Sequence, residues 1–246
     1  MATNQIQNLS LIGSNLINWL NANEGVVSVL LFAISILFGW VSGIFSSLRR
    51  KPKFKISLID GPTFCTTFLT DEKHNGYEIH RTAIALYLNI ANVGSAPSSI
   101  ANVAVAYHWN VERFGPDWIR YRLFWFWIKY QVLTTEDFQY HFADKVKLYP
   151  SLFQKGVITG QNSDTYLATG QSTNGVVYFE QKESWGGAFP LPRSNRTKIN
   201  VAVKDTFGKT HKRKFWIPIV DLDEARKYNP SIGNTFPLIR TKPKGN

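Results

Sequence analysis

Hydrophobic positions change their period twice along this chain of 246 residues. From Ile6 to Leu20 the apolar positions recur at helical spacing. Ile6, Leu9, Ile12, Leu16, Ile17, Trp19 and Leu20 share one side, and Leu11 is the exception. Gln7, Asn8, Ser10, Ser14, Asn15 and Asn18 fill the other side, so the N-terminal segment 1–24 is expected to hold an amphipathic helix with an uncharged polar face. From Gly25 to Leu48 no residue is charged. At 1.5 Å per residue that run can cross a hydrocarbon core of about 30 Å, so 25–48 is expected to be a transmembrane helix. A cleaved signal sequence would need a basic stretch ahead of a short apolar core, and neither is present.

Beyond Pro52 the period falls to two. Ile84, Leu86, Leu88 and Ile90 alternate with Ala83, Ala85, Tyr87 and Asn89, and Val103, Val105, Tyr107 and Trp109 fall on one face of the next run. The Gly/Pro/Ser turn "NVGSAPSS" separates them, which predicts an antiparallel pair. Further strands are expected near 54–59, 64–69, 120–132, 174–181, 197–204 and 212–219, with "KDTFGK" turning between the last two. The fold class is therefore mainly β, an antiparallel sandwich or small barrel, over residues 56–220 with an insertion at 110–160. A basic linker at 49–55 precedes it, and a C-terminal tail at 221–246 begins with a helix start at Asp221 and Glu224.

Charge changes this picture. The formal net charge is +11, and all 28 lysines and arginines lie beyond residue 48. Arg49, Arg50, Lys51, Lys53 and Lys55 crowd the C-terminal end of the hydrophobic run. By the positive-inside rule the N-terminus is then outside and the β domain cytoplasmic, which predicts a single-pass protein of the cell inner membrane. The same cations suit anionic lipid headgroups. Ser35, Gly39 and Gly43 repeat at four-residue spacing on one helix face, the small-residue pattern that lets helices pack closely in lipid, so a homo-oligomer is expected.

Candidate chemistry is sparse. The five histidines show no HxxxH or HExxH spacing, no Gly-rich phosphate loop or GxSxG elbow occurs, and the single cysteine, Cys65, has no activating partner in sequence. The chain reads as non-enzymatic, with no catalytic residue, metal or cofactor assigned. The stretch "RLFWFWIKY", residues 122–130, is the exception to blandness. As a strand it would put Phe124, Phe126, Ile128 and Tyr130 on a core face and Leu123, Trp125, Trp127 and Lys129 on the other. Three covers suit that second face: residues 131–155, a headgroup layer, or a flat anionic ligand stacked on the rings. The last defines the candidate ligand site as Arg120, Arg122, Trp125, Trp127 and Lys129, together with Lys212, Arg213 and Lys214 of the basic "KTHKRK" hairpin. DNA or RNA is disfavoured, because no groove-reading element is present.

The stretches "LYLNIANVGSAPSSIANVAVAYH", "LATGQSTNGVVYFE" and "KINVAVKDTFGKTHKRKFWI" carry a pattern of strand, N-x-G turn, strand, G-Q-S loop, strand and D-x-x-G-K hairpin. In this the chain resembles bacterial membrane-tethered domains with an immunoglobulin-like sandwich, a group without a common activity, so no functional residue carries over. The layout of membrane segment plus basic β domain also resembles cyclic-nucleotide-gated membrane effectors of antiphage defence. That likeness implies a ligand-sensing β domain whose occupancy assembles membrane segments into a breach. The expected function is thus a membrane-anchored binding or scaffold protein that recognises a protein partner or ligand. The alternative is an antiviral-defence effector sensing a cyclic (oligo)nucleotide.

Overall fold

The computed structural model describes residues 18–42, 50–111, 114–181 and 183–233. It divides into two units, Met1–Arg50 and Lys51–Asn246.

The first unit contains helix α1, Glu24–Val41, which is long and apolar enough to cross a membrane and buries none of its residues. Asn23, at φ −121°, breaks it from the helical residues 18–22. The remainder of the amphipathic segment, Gly43 and Arg49 lie outside the described residues. Ser35 and Gly39 fall one turn apart on α1, and Ser35 Oγ donates to the Leu31 carbonyl (2.8 Å). Its polar atom is thereby satisfied inside its own helix, leaving that face small and apolar.

The second unit is an antiparallel β-sandwich. Its strands are β1 Phe54–Leu58, β2 Phe64–His74, β3 Tyr77–Asn92, β4 Ser98–Tyr107, β5 Phe126–Ile128, β6 Phe138–Phe142, β7 Lys145–Tyr149, β8 Tyr166–Leu167, β9 Ser172–Glu180, β10 Ser184–Trp185, β11 Pro192–Arg193, β12 Arg196–Asp205 and β13 Thr210–Pro218. In the first sheet the long β3 is central, paired with β1 and β2 along one edge and with β9 and β10 along the other. In the second sheet β12 lies between β13 and β4, and β4 carries β5 and β8 on its far side. The chain therefore changes sheet at the β3–β4 turn, returns for β9 and ends in the β12–β13 hairpin, the antiparallel sandwich expected from the alternating pattern.

Between the sheets lies a core of Ile84, Leu86, Leu88 and Ile90 from β3, Val103, Val105 and Tyr107 from β4, and Ile199, Val201 and Val203 from β12. The other face of β3 is also buried. Ala83, Ala85 and Tyr87 pack against Phe138 and Tyr149 of the β6–β7 hairpin and against Ala225 and Ile232 of the C-terminal segment. This explains why β3 alternates in side-chain size rather than polarity: a strand covered on both sides has no use for a polar face. The close fit is enforced at Gly175 in β9, where a Cβ would lie 2.7 Å from Leu152 Cα. The expected helix start after Asp221 forms as α2, Leu222–Arg226.

Two expectations for the insertion are corrected. Residues 120–132 are not one strand: Trp118–Leu123 is a π-helical turn, and only Phe126–Ile128 pairs with β4. The Gly115–Pro116–Asp117 sequence starts this turn. Its end is held by Trp109, whose N–H donates to the Tyr121 carbonyl (3.0 Å) and whose ring stacks on Tyr121 at 3.8 Å. The core face is consequently short, since Phe126 and Ile128 reach the core while Phe124 and Tyr130 remain exposed. Within 131–155, for its part, Val132, Phe138, Tyr140 and Tyr149 cover the outside of the first sheet, and Leu152 and Phe153 join the core between the sheets.

The lone Cys65 is inside the core, where burial pushes its thiol up to about 12. It is therefore inert to thiol reagents in the folded chain.

Candidate functional site

The outer face of the second sheet is assembled by strand alternation. Because Ile199, Val201 and Val203 point into the core, Lys198, Asn200, Ala202 and Lys204 point out, and in β13 their partners are Trp216, Lys214, Lys212 and Thr210. On the other side β4 contributes Ala104 and Ala106, and β5 sets Trp127 beside Ala106. One row thus reads Trp127–Ala106–Asn200–Lys214 across four strands. The small central residues form a floor, and long side chains from both edges close over it. Ala106, Asn200 and Ala202 are accordingly buried although they lie on an outer face.

The closing side chains are those singled out in the sequence. Lys212 Nζ lies 5.2 Å from the centre of the Trp127 ring, and Lys214 Nζ lies 5.7 Å from that of Trp125. Lys198 similarly approaches Trp216 (6.0 Å). Such ammonium–indole contacts hold the lysine stems flat and present the charges above the rings. The only acid in β4, β5, β12 and β13 is Asp205, which is buried and bonded to His211 Nε2 (3.0 Å). The face is therefore cationic without an internal counter-charge. In its floor the buried Asn200 Oδ1 has no hydrogen-bond partner among the described residues, a position that favours a ligand donor.

His108 borders this face. Its ring sits 4.0 Å from the Trp125 ring, and its Nδ1 contacts the Phe124 carbonyl (3.2 Å). Burial, aided by the charges of Lys198 and Arg122, lowers its pKa from the ordinary 6.5. His80, buried at the end of β3, is also lowered, by burial against an opposing hydrogen bond to Ala188. A histidine lowered on folding leaves the unfolded state holding more protons just below pH 6.5, so stability rises with pH there and is lost on acidification. The melting temperature is expected to fall as pH drops below 6.5, and His108→Gln should flatten part of that fall. A pH-independent melt over this range would contradict the assignment.

The other candidate residues are dispersed. Arg122 is near enough to act on His108, whereas Arg120 lies over Tyr121 (5.1 Å). Lys129 is exposed, and its carbonyl accepts from Asn102 Nδ2 (3.1 Å). Arg213, between Lys212 and Lys214, points the opposite way and donates to the Ile56 carbonyl (2.9 Å). Lys198, Asn200 and Trp216 belong to the face although the sequence reading omitted them. Their signal was the alternation of "TKINVAVK" once its inward set is known.

A larger cleft, of about 1550 Å³, opens beside this face. Trp109, Trp118, Tyr121, Trp185 and Phe189 line it together with the carboxylates of Asp117, Glu180 and Glu183. Arg81 pairs with Glu180 (3.8 Å) and Glu183 (3.1 Å). The cleft is the better-shaped concavity, but it presents Asp117 and an Arg81-paired acid cluster, whereas the lysine–tryptophan face presents cations, so that face is the site suited to an anion. Among the described residues no group of three or more His, Cys, Asp or Glu could hold a metal ion.

No protein-family model and no curated protein matches this chain. A crystal structure from Bordetella pertussis, described provisionally as ApaA, overlaps 69% of this chain and 96% of its own, with 10% identity and a TM-score of 0.29. An overlap that slight informs neither fold nor function.

Proposed function

We propose that this chain is a single-pass, membrane-anchored, non-enzymatic binding protein whose cytoplasmic β domain takes an anionic ligand on its lysine–tryptophan face. The observation that carries the reading is the placement of Lys212 over Trp127 and Lys214 over Trp125. Aromatic surface and positive charge there converge from segments far apart in sequence, and among the described residues no carboxylate pairs with these lysines. The membrane half of the reading rests on the uncharged run 25–48 and on the cations that follow it, which by the positive-inside rule favour an outside N-terminus and a cytoplasmic β domain. The Ser35/Gly39/Gly43 stripe supplies the face for self-association.

A second reading makes the ligand a cyclic (oligo)nucleotide and the protein an antiphage-defence effector. It is favoured by Asn200 Oδ1, a buried acceptor in the same cross-strand row as Trp127 and Lys214, which suits a base or ribose donor. Both readings are tested by melting the full chain in nanodiscs against cyclic di- and trinucleotides, linear nucleotides and inorganic polyphosphate. A ligand at 100 times its Kd adds about 2.7 kcal/mol. Stabilisation by a phosphate-bearing ligand supports the binding face. Dye leakage from vesicles only when a cyclic nucleotide is added would select the effector. If no phosphate-bearing compound shifts the melt, the anionic-ligand reading is wrong.

A further inference from the structure

Three cations from opposite ends of the β domain, Lys53, Lys55 and Arg213, meet at one edge of the sandwich, with the stem of Lys212 beside them. β1 is an outer strand of the first sheet and β13 of the second, and Arg213 joins them through its bond to the Ile56 carbonyl. Between them is a notch of about 340 Å³, floored by Phe54 and Ile56 and rimmed by Lys53, Lys55, Lys212 and Arg213. No carboxylate lines it. Beneath the floor, the Phe54 N–H donates to His211 Nδ1 (3.3 Å), and His211 Nε2 donates to Asp205 Oδ2 (3.0 Å). Asp205 is thus occupied inward and leaves the notch charge uncompensated. Arg213 gives one N–H to Ile56 and keeps its remaining donors for an oxyanion.

We propose that this notch binds the phosphate of an anionic phospholipid headgroup. The inference rests on the membrane-anchor reading: Lys53 and Lys55 follow the hydrophobic run Gly25–Leu48 by five and seven residues, so a lipid surface is the phosphate source nearest along the chain. It adds to the juxtamembrane cluster a cation from the last hairpin, Arg213, which is fixed at the β1 edge by its bond to Ile56. It also distinguishes the notch from the lysine–tryptophan face, with Lys212 standing at the border of both.

The test uses the full chain carrying Val93→Cys, an exposed notch position, labelled with an environment-sensitive dye. The buried Cys65 does not compete for label. In nanodiscs of phosphatidylcholine, with or without 30% phosphatidylglycerol, quenching by headgroup spin labels is read at low salt. The expected result is at least about twofold stronger quenching with phosphatidylglycerol, abolished by Lys53→Glu/Lys55→Glu without loss of the folded melt, since both side chains are exposed and neither bonds to another of the described residues. Equal quenching in both discs overturns the proposal, as does quenching that survives the double substitution. If the chain washes from membranes in alkaline carbonate, the anchor reading fails on its own. The notch then stands or falls on co-sedimentation with phosphatidylglycerol vesicles and its loss in the same variant.

Discussion

Asn92→Ala is expected to lower the stability of the β domain by about 3–5 kcal/mol, the largest effect of any single polar substitution outside the ion-paired cluster. Asn92 is fully buried at the end of β3 and uses its whole amide. Nδ2 donates to the carbonyls of Ala96 (2.8 Å) and Leu167 (3.1 Å), and Oδ1 accepts from the N–H groups of Gly94 (3.0 Å) and Lys53 (3.3 Å). Alanine would strand two donors and two acceptors from three separate segments, and each buried polar group left unmade costs about 1–3 kcal/mol. The segment leading into β1 is bound here as well. A Cβ on Gly94 would lie 2.3 Å from Lys53 N and 2.5 Å from Lys51 O, so only glycine lets that segment close on the turn. For a domain of this size the loss corresponds to roughly 6–20 °C in melting temperature. Tryptophan-monitored melting of the full chain in detergent checks it, with faster hydrogen exchange at residues 51–55 as a second sign. A loss below about 1 kcal/mol would mean that water replaces the amide.

Lys212→Glu/Lys214→Glu is expected to weaken binding of an anionic ligand to the lysine–tryptophan face at least ~30-fold while leaving the fold intact. Each cation near an anionic surface is worth about 1 kcal/mol, and reversing two removes attraction and adds repulsion. Both side chains are exposed, and their contacts are with the Trp127 and Trp125 rings rather than with buried acceptors. Surface substitutions of this kind seldom alter stability much. Titration calorimetry with whichever phosphate-bearing ligand stabilises the parent chain reads the loss. Trp127→Ala should also weaken binding, and with less salt dependence, because it removes stacking surface and not charge. Equal affinity in the lysine double variant would overturn the lysine–tryptophan face as the phosphate site.

Much of the architecture was legible because it depends on neighbours along the chain. The β3 and β4 pairing followed from alternation around "NVGSAPSS", and the final hairpin from the turn at "KDTFGK". The Asp221 helix start was equally local. The reading failed in the insertion, where non-local contacts decide. Trp109 stacking on Tyr121 turns residues 118–123 out of a strand, and no pattern within 120–132 announces a partner eleven or more residues upstream. Of the three covers open to the second aromatic face, residues 131–155 are removed for a related reason: Val132, Phe138, Tyr140 and Tyr149 are drawn to β3, both of whose faces are apolar.

The same division holds for the site. Sequence alone determined that one uncharged run is long enough to span a bilayer, that every lysine and arginine follows it, and that aromatic and basic residues concentrate in "RLFWFWIKY" and "KTHKRK". These are properties of composition and of period, which the backbone reads locally. Only the tertiary structure decided which of those residues meet. The side-chain period of two sends Lys212 and Lys214 across the second sheet to the tryptophans and sends Arg213 to the edge facing β1. Adjacent residues of a strand point to opposite faces, so three consecutive cations became parts of two different sites once the core had chosen which face lies inward.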